Sequence, residues 1–223
     1  MSGREEVFVS FAVFQGIPGA LTESDRELAV KEAADLLDRW SDRVETRGAY
    51  SIAGFRADAD LMFWWISQSP DHLQELFVEL RHTALGRALK PRENFVAVTR
   101  PAEFTRDHAP AFIQGKPPLH YICVYPYVRT TDWYLLPAEE RSALLREHGM
   151  AGREFDDVQP NTTSAFGLGD FEWILTFEAD ELGRIVDLLR SLRATEARRY
   201  TKLEIPFFTG IRKDLAAAVA DLP

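Results

Sequence analysis

The sequence predicts an α+β chain made of two tandem ferredoxin-like repeats, a dimeric α+β barrel within one polypeptide. Three observations lead there. Four amphipathic helical segments alternate with eight β-rich runs in the order β-α-β-β-α-β, twice. A shift of 109 residues superimposes Trp64 on Trp173, Asp71 on Asp180, Leu73 on Leu182, Leu80 on Leu189 and Arg81 on Arg190, with Leu76/Ile185 and Phe77/Val186 in phase. The 223 residues are 46% hydrophobic, enough apolar mass for one large core or for two.

The helices follow from periodicity and caps. The first spans about 22–40, opening on a capping-box-like Thr22-x-x-Asp25 and repeating Ala29, Ala33, Leu36, Leu37 and Trp40 on one face. The second takes Ser69 as N-cap and Pro70 at its first position, with Leu73, Leu76, Phe77 and Leu80 aligned. A third runs from near Pro137 through Leu144 and Leu145 to His148, with Gly149 as its stop. The fourth begins near Asp180 and is expected to bury Leu182, Ile185, Val186 and Leu189. Between them VFVSFAVF, YSIAGFR, DLMFWWIS, ENFVAVTR, LHYICVYPYV, TTSAFGLG, FEWILTFE and LEIPFFTG read as strands. This divides the chain into an N-terminal half (1–100), a linker (101–118) and a C-terminal half (119–223). The segment from Arg100 to His120 holds four prolines and a glycine, is long for a mere connection, and contains His108. Each half should leave one sheet face apolar, a need met if the two sheets face each other.

Charge excludes some functions. A net charge of −9 argues against a nucleic-acid surface, so any anion site must be a local group of arginines. Cys123 is the one cysteine and lies in an apolar strand, which removes disulfide frameworks and cysteine-rich metal sites. The N-terminal stretch lacks a signal-type apolar core and no apolar run is long enough to span a bilayer, which points to a cytoplasmic location without a membrane partner.

Of the five histidines, His72 and His82 fall on the polar side of the second helix and His120 opens a strand, where structural roles suffice. His148 sits in the last turn of its helix. There spacing favours a dipole-stabilised cation, with an imidazole pointing into a cavity as the other reading. No HxxxH, HExxH or CxxC spacing occurs, so a zinc or di-iron site built from protein alone is not indicated. A haem site needs only one axial histidine and an apolar pocket, and stays open. In VYPYVRT, Tyr125, Tyr127 and Arg129 share one face by strand periodicity. An edge strand interrupted by Pro126 explains that run somewhat better than a functional surface does.

The joined pattern YPYVRTTDWYLLPAEERSALLREHGMAGREF, with ADADLMFWW, DHAPAF and LGDFEWILTFEADEL to EIPFFTG, resembles the haem-dependent chlorite dismutase-like family, and within it the coproheme decarboxylase branch. The likeness covers nearly the whole chain. It implies peroxide-dependent oxidative decarboxylation of two propionates of iron coproporphyrin III (coproheme), giving haem b through a monovinyl intermediate. It also implies a cytoplasmic homopentamer holding the porphyrin in its C-terminal half; whether a ferrochelatase hands over coproheme in a transient contact is left open by the sequence.

Residue by residue, the resemblance makes His148 the proximal iron ligand and Tyr125 the tyrosine that becomes the oxidising radical. It makes His108 the distal base that takes a proton from bound peroxide, a task suited to a neutral imidazole with a pKa of about 6.5. Arg129, Thr195 and Arg198 match residues that contact propionates, and Trp133 and Trp173 match nearby aromatic positions. Guanidinium groups bind carboxylates through paired hydrogen bonds and fix their orientation, which decides whether a radical on Tyr125 reaches one particular carbon. Chlorite dismutases carry an arginine thirteen residues after the proximal histidine. That position is Asn161 here, which argues against chlorite chemistry. A haem or coproheme carrier or sensor, and a general haem peroxidase, are the alternative readings; a carrier has no use for Tyr125, and a peroxidase none for arginines aimed at propionates.

Overall fold

The computed structural model describes residues 6–100 and 109–223, and these form two compact units. The first comprises the N-terminal residues to Thr99 together with Phe208–Pro223; the second runs from Arg100 to Phe207. The division drawn from the sequence puts the last strand and helix with the C-terminal half, whereas compactness groups them with the N-terminal unit.

In the first unit, β1 (Phe8–Gly16), α1 (Glu23–Trp40), β2 (Val44–Ser51), β3 (Leu61–Ser67), α2 (Pro70–Leu80), a short α3 (Ala84–Arg87) and β4 (Leu89–Val98) follow in chain order. The strands lie in the order β4-β1-β3-β2, all antiparallel, which is the ferredoxin-like arrangement. The capping box forms, with the Asp25 amide donating to Thr22 Oγ1 (3.3 Å) and the Thr22 amide to Asp25 Oδ2 (3.2 Å). Ser69 caps α2 through the Asp71 amide (3.2 Å), with Pro70 behind it. The helices lay Ala29, Ala33, Leu36, Leu73, Leu76 and Leu80 against Phe14, Phe63 and Trp65. On the opposite sheet face Phe11, Trp64 and Phe95 are also buried. To this unit β9 (Phe208–Lys213) adds a strand beside β2, and α7 (Leu215–Ala220) packs on the α1 side.

The second unit contains β5 (Tyr121–Arg129), α4 (Thr131–Leu135), α5 (Ala138–Ala151), β6 (Gln159–Ser164), β7 (Trp173–Ala179), α6 (Leu182–Arg193), a 3-10 turn (Glu196–Tyr200) and β8 (Thr201–Leu203). Strands β6, β7 and β5 are neighbours and antiparallel, with Tyr125 opposite Leu175 and Tyr127 opposite Trp173. Two helices and three strands thus repeat the plan of the first unit. Among the described residues no helix is long and apolar enough to cross a membrane.

Several expectations are corrected. The second strand covers 44–51 rather than 50–56, and the sixth 159–164 rather than 162–169, because Gly54 (φ +84°) and Gly167 (φ +77°) turn the chain where strands were expected. LEIPFFTG divides between β8 and β9. Gly149 does not end its helix: its φ is not positive, so α5 runs on to Ala151 and Gly152 caps it. In α6 it is Leu188 that turns inward, while Val186 is 52% exposed. Nor is β5 a one-faced edge: it is paired by β7 up to Tyr127 and by β8 at Val128 and Arg129, and residues on both of its faces are buried.

Candidate active site

Directly opposed residues of antiparallel strands point to the same side of a sheet. The face carrying Tyr125 and Tyr127 therefore also carries Leu175, Phe177 and Trp173 from β7, and Pro160 and Thr162 from β6. Against it pack Ile185 and Leu188 of α6, with Leu192 and Phe207 partly buried. Tyr125 is 3% exposed, its ring stacked on Phe207 at 4.3 Å and on Phe177 at 6.2 Å. Burial raises its pKa well above the ordinary phenol value, so it keeps its proton throughout the working pH range.

Tyr127 donates to or accepts from Thr201 Oγ1 (2.8 Å). Burial raises its pKa too, opposed by Arg129. The Arg129 guanidinium lies 4.8 Å from the Tyr127 ring centre and 4.0 Å from that of Trp133, and donates to the Ala197 carbonyl (3.1 Å). Its backbone amide donates to Glu172 Oε2 (2.8 Å), which also accepts the Tyr134 hydroxyl (2.6 Å). Trp133 is buried by the short helix α4 and packs on Tyr200 (5.6 Å). Trp173 meets Phe166 edge to face (5.4 Å).

His148 lies one turn from the end of α5, a helix that buries no side chain of its own. The imidazole is half-buried, and its Nδ1 is 3.3 Å from Thr195 Oγ1. The Thr195 hydroxyl donates to the Leu192 carbonyl (2.9 Å), so its oxygen is left to accept Nδ1–H. That tautomer leaves the Nε2 lone pair free for a metal ion. Desolvation, then the Arg129 charge, hold the His148 pKa below the ordinary imidazole value, with Glu204 opposing. A neutral ligand is favoured. Among the described residues no group of three or more His, Cys, Asp or Glu could hold a metal ion. A haem iron needs only one axial histidine, and a neutral His148 with Nε2 free has the chemistry for that.

The structure thus gathers Tyr125, Arg129, Trp133, His148, Thr195 and Arg198 with Trp173 in one unit. His108 lies outside the described residues. Asn161 corrects an expectation: its side chain points to the face opposite Tyr125, where it is 1% exposed, accepts the Phe112 amide (3.0 Å) and donates to Glu178 (3.3 Å). It ties the chain near Phe112 to β6, and Pro160 and Thr162 instead face the Tyr125 side. Sequence reasoning missed Arg193, Glu204 and Phe207. Glu204 Oε2 accepts from Arg193 (3.1 Å) and from Arg198, while the Arg193 guanidinium approaches the Phe207 ring (5.8 Å).

Residues 26–213 match the family model described as chlorite dismutase. The chain belongs to the chlorite dismutase family. A family member from Mycolicibacterium smegmatis, a coproheme decarboxylase, is 52% identical over 218 residues, 97% of this chain and 94% of that one. The fold is shared with chlorite dismutase from Candidatus Nitrospira defluvii: the complex with imidazole superimposes with a TM-score of 0.86 at 24% identity, covering 96% of this chain and 94% of that one. A variant of the same enzyme gives 0.88 at 23% identity, covering 98% and 95%.

Proposed function

We propose that the protein is a coproheme decarboxylase, converting two propionates of iron coproporphyrin III to vinyl groups with hydrogen peroxide and releasing haem b. The observation that carries this reading is the convergence in one unit of a neutral, Nδ1-anchored His148, a buried Tyr125 and the arginines Arg129, Arg193 and Arg198. The 52% identity to a coproheme decarboxylase supports it. His148 binds the substrate's iron through Nε2, with Thr195 holding the ring. Arg129, stacked on Trp133, and Arg198 hold carboxylates, and His108 takes the peroxide proton.

Peroxide on the substrate's iron supplies the oxidising equivalents. Tyr125 gives up an electron and its proton, and the resulting phenoxyl takes a hydrogen atom from the β-carbon of a positioned propionate. Loss of carbon dioxide and a second electron leaves the vinyl group. Each propionate loses two electrons and each peroxide accepts two, so one peroxide is consumed per vinyl formed. Trp173 lies opposite Tyr127 on the same sheet face.

The reading extends to a cytoplasmic homopentamer, as the family resemblance implies, and to a transient contact with a ferrochelatase that supplies coproheme; the lone buried thiol of Cys123 suits a reducing compartment. The test is to titrate the protein loaded with ferric coproheme with peroxide and follow the porphyrins by mass spectrometry. Haem b should appear through a monovinyl species at one peroxide per propionate. Porphyrin that stays tetracarboxylate, or is bleached without vinyl formation, contradicts the assignment in favour of a carrier or a general peroxidase.

A further inference from the structure

Arg198, expected to hold a propionate, is already engaged by a carboxylate of the protein. Glu204 Oε2 accepts from Arg193 Nη2 at 3.1 Å and from Arg198 Nη1. The Glu204 side chain is 13% exposed, while those of Arg193 and Arg198 are 45% and 41% exposed. A carboxylate withdrawn from water thus stands behind two guanidinium groups that are open on their outer side. Each guanidinium has five N–H donors and Glu204 engages one oxygen with them, so donors remain for a second anion.

The position of this group matters. Arg193 approaches the Phe207 ring at 5.8 Å, and Phe207 stacks on Tyr125 at 4.3 Å. Thr195, which anchors His148, lies between the two arginines in the chain. The Glu204 charge is felt by Tyr125, Tyr127, Arg129 and His148 alike.

We infer that Glu204 is an internal carboxylate that occupies the Arg193–Arg198 pair in the free protein and yields it to a substrate carboxylate beside Tyr125. The inference rests on the coproheme reading and names Glu204 as a specificity-determining positioning residue. An incoming propionate must compete with Glu204 for the pair. When that propionate becomes a vinyl group, its carboxyl carbon leaves as neutral carbon dioxide and its negative charge as the electron passed to the peroxide-derived oxidant, and Glu204 takes the arginines back. The exchange weakens the hold on haem b relative to coproheme without any further contact, because the product lacks the anion that displaced Glu204.

The test titrates the full-length protein and its Glu204→Gln variant with ferric coproheme and, separately, with haem b, following the Soret band. Removing the competing charge should tighten coproheme binding ~10-fold while haem b changes less than ~3-fold. Arg193→Gln should act in the opposite sense, weakening coproheme ~10-fold and haem b much less. A folded Glu204→Gln protein with unchanged or weaker coproheme affinity, or with equal shifts for both porphyrins, makes Glu204 a structural brace and overturns the proposal. If Glu204→Gln does not fold, Arg193→Gln decides: an equal loss for both porphyrins overturns the proposal and a loss confined to coproheme supports it. Conversion by the parent protein is assayed in parallel. Normal conversion with no shift in selectivity overturns only the role of Glu204, whereas tight coproheme binding without haem b formation overturns the decarboxylase reading and leaves the binding comparison intact.

Discussion

The Nδ1 atom of His148 lies 3.3 Å from Thr195 Oγ1, and the Thr195 hydroxyl is committed to the Leu192 carbonyl at 2.9 Å. Chain segments 47 residues apart thereby fix one tautomer of one ring. Thr195→Val keeps the shape and removes the acceptor, so the imidazole loses its anchor. Affinity for ferric coproheme should fall ~10-fold, with heterogeneous axial ligation in the electron paramagnetic resonance spectrum. Thr195→Ser should restore both, a rescue that a packing role for the threonine would not give.

Arg129 is held by stacking on Trp133 at 4.0 Å and by its bond to the Ala197 carbonyl at 3.1 Å. Lysine carries the same charge without the planar fork. Arg129→Lys should therefore weaken coproheme binding ~10-fold, read by Soret titration, while the melting temperature shifts by only a few degrees.

Asn161 offers a contrast, because it occupies the thirteenth position after His148 yet faces away from Tyr125. Asn161→Ala removes the side-chain acceptor of the Phe112 amide and a buried donor to Glu178, which should cost about 1–3 kcal/mol of stability by chemical denaturation. The axial-ligand spectrum of bound coproheme should be unchanged. A variant with parental stability and an altered spectrum would return Asn161 to the pocket.

Asp58 accepts from Arg56 at 2.7 and 2.9 Å and from Arg92 at 2.7 Å, and these bonds hold its pKa well below the usual carboxylate range. The folded-state value is depressed, so the contribution is fully present above about pH 4 and is lost as the pH falls toward that lower value. The side chains remain partly exposed and solvent screens them, so Asp58→Asn should cost about 1 kcal/mol near neutrality. Thermal melts should show the gap between parent and variant narrowing steadily below about pH 4.

The parts of the fold legible in the sequence were those governed by local rules. Thr22 with Asp25 and Ser69 with Pro70 mark helix starts through bonds to their own neighbours, and period-two alternation placed Tyr125 and Tyr127 on one face before any sheet was seen, while the register shifts between Val128 and Arg129. Gly149 misled because a glycine permits a left-handed stop without requiring one. Asn161 misled because counting residues from a helix does not tell which side of the next strand a side chain takes. Glu204 and Arg193 escaped notice for a different reason: a 3-10 turn and a strand lie between them, and no period relates them. His148 was ambiguous by spacing alone, since its Thr195 partner becomes visible only in three dimensions.

The most direct test of the central claim compares the parent with Tyr125→Phe. The substitution keeps the stacking ring against Phe207 and removes only the hydroxyl that is to carry the radical. Both proteins are loaded with ferric coproheme, treated with peroxide and analysed by mass spectrometry over time. Coproheme should bind within ~3-fold of the parent, and formation of the monovinyl species should slow by at least ~100-fold. A Tyr125→Phe protein that makes haem b at the parental rate contradicts the account.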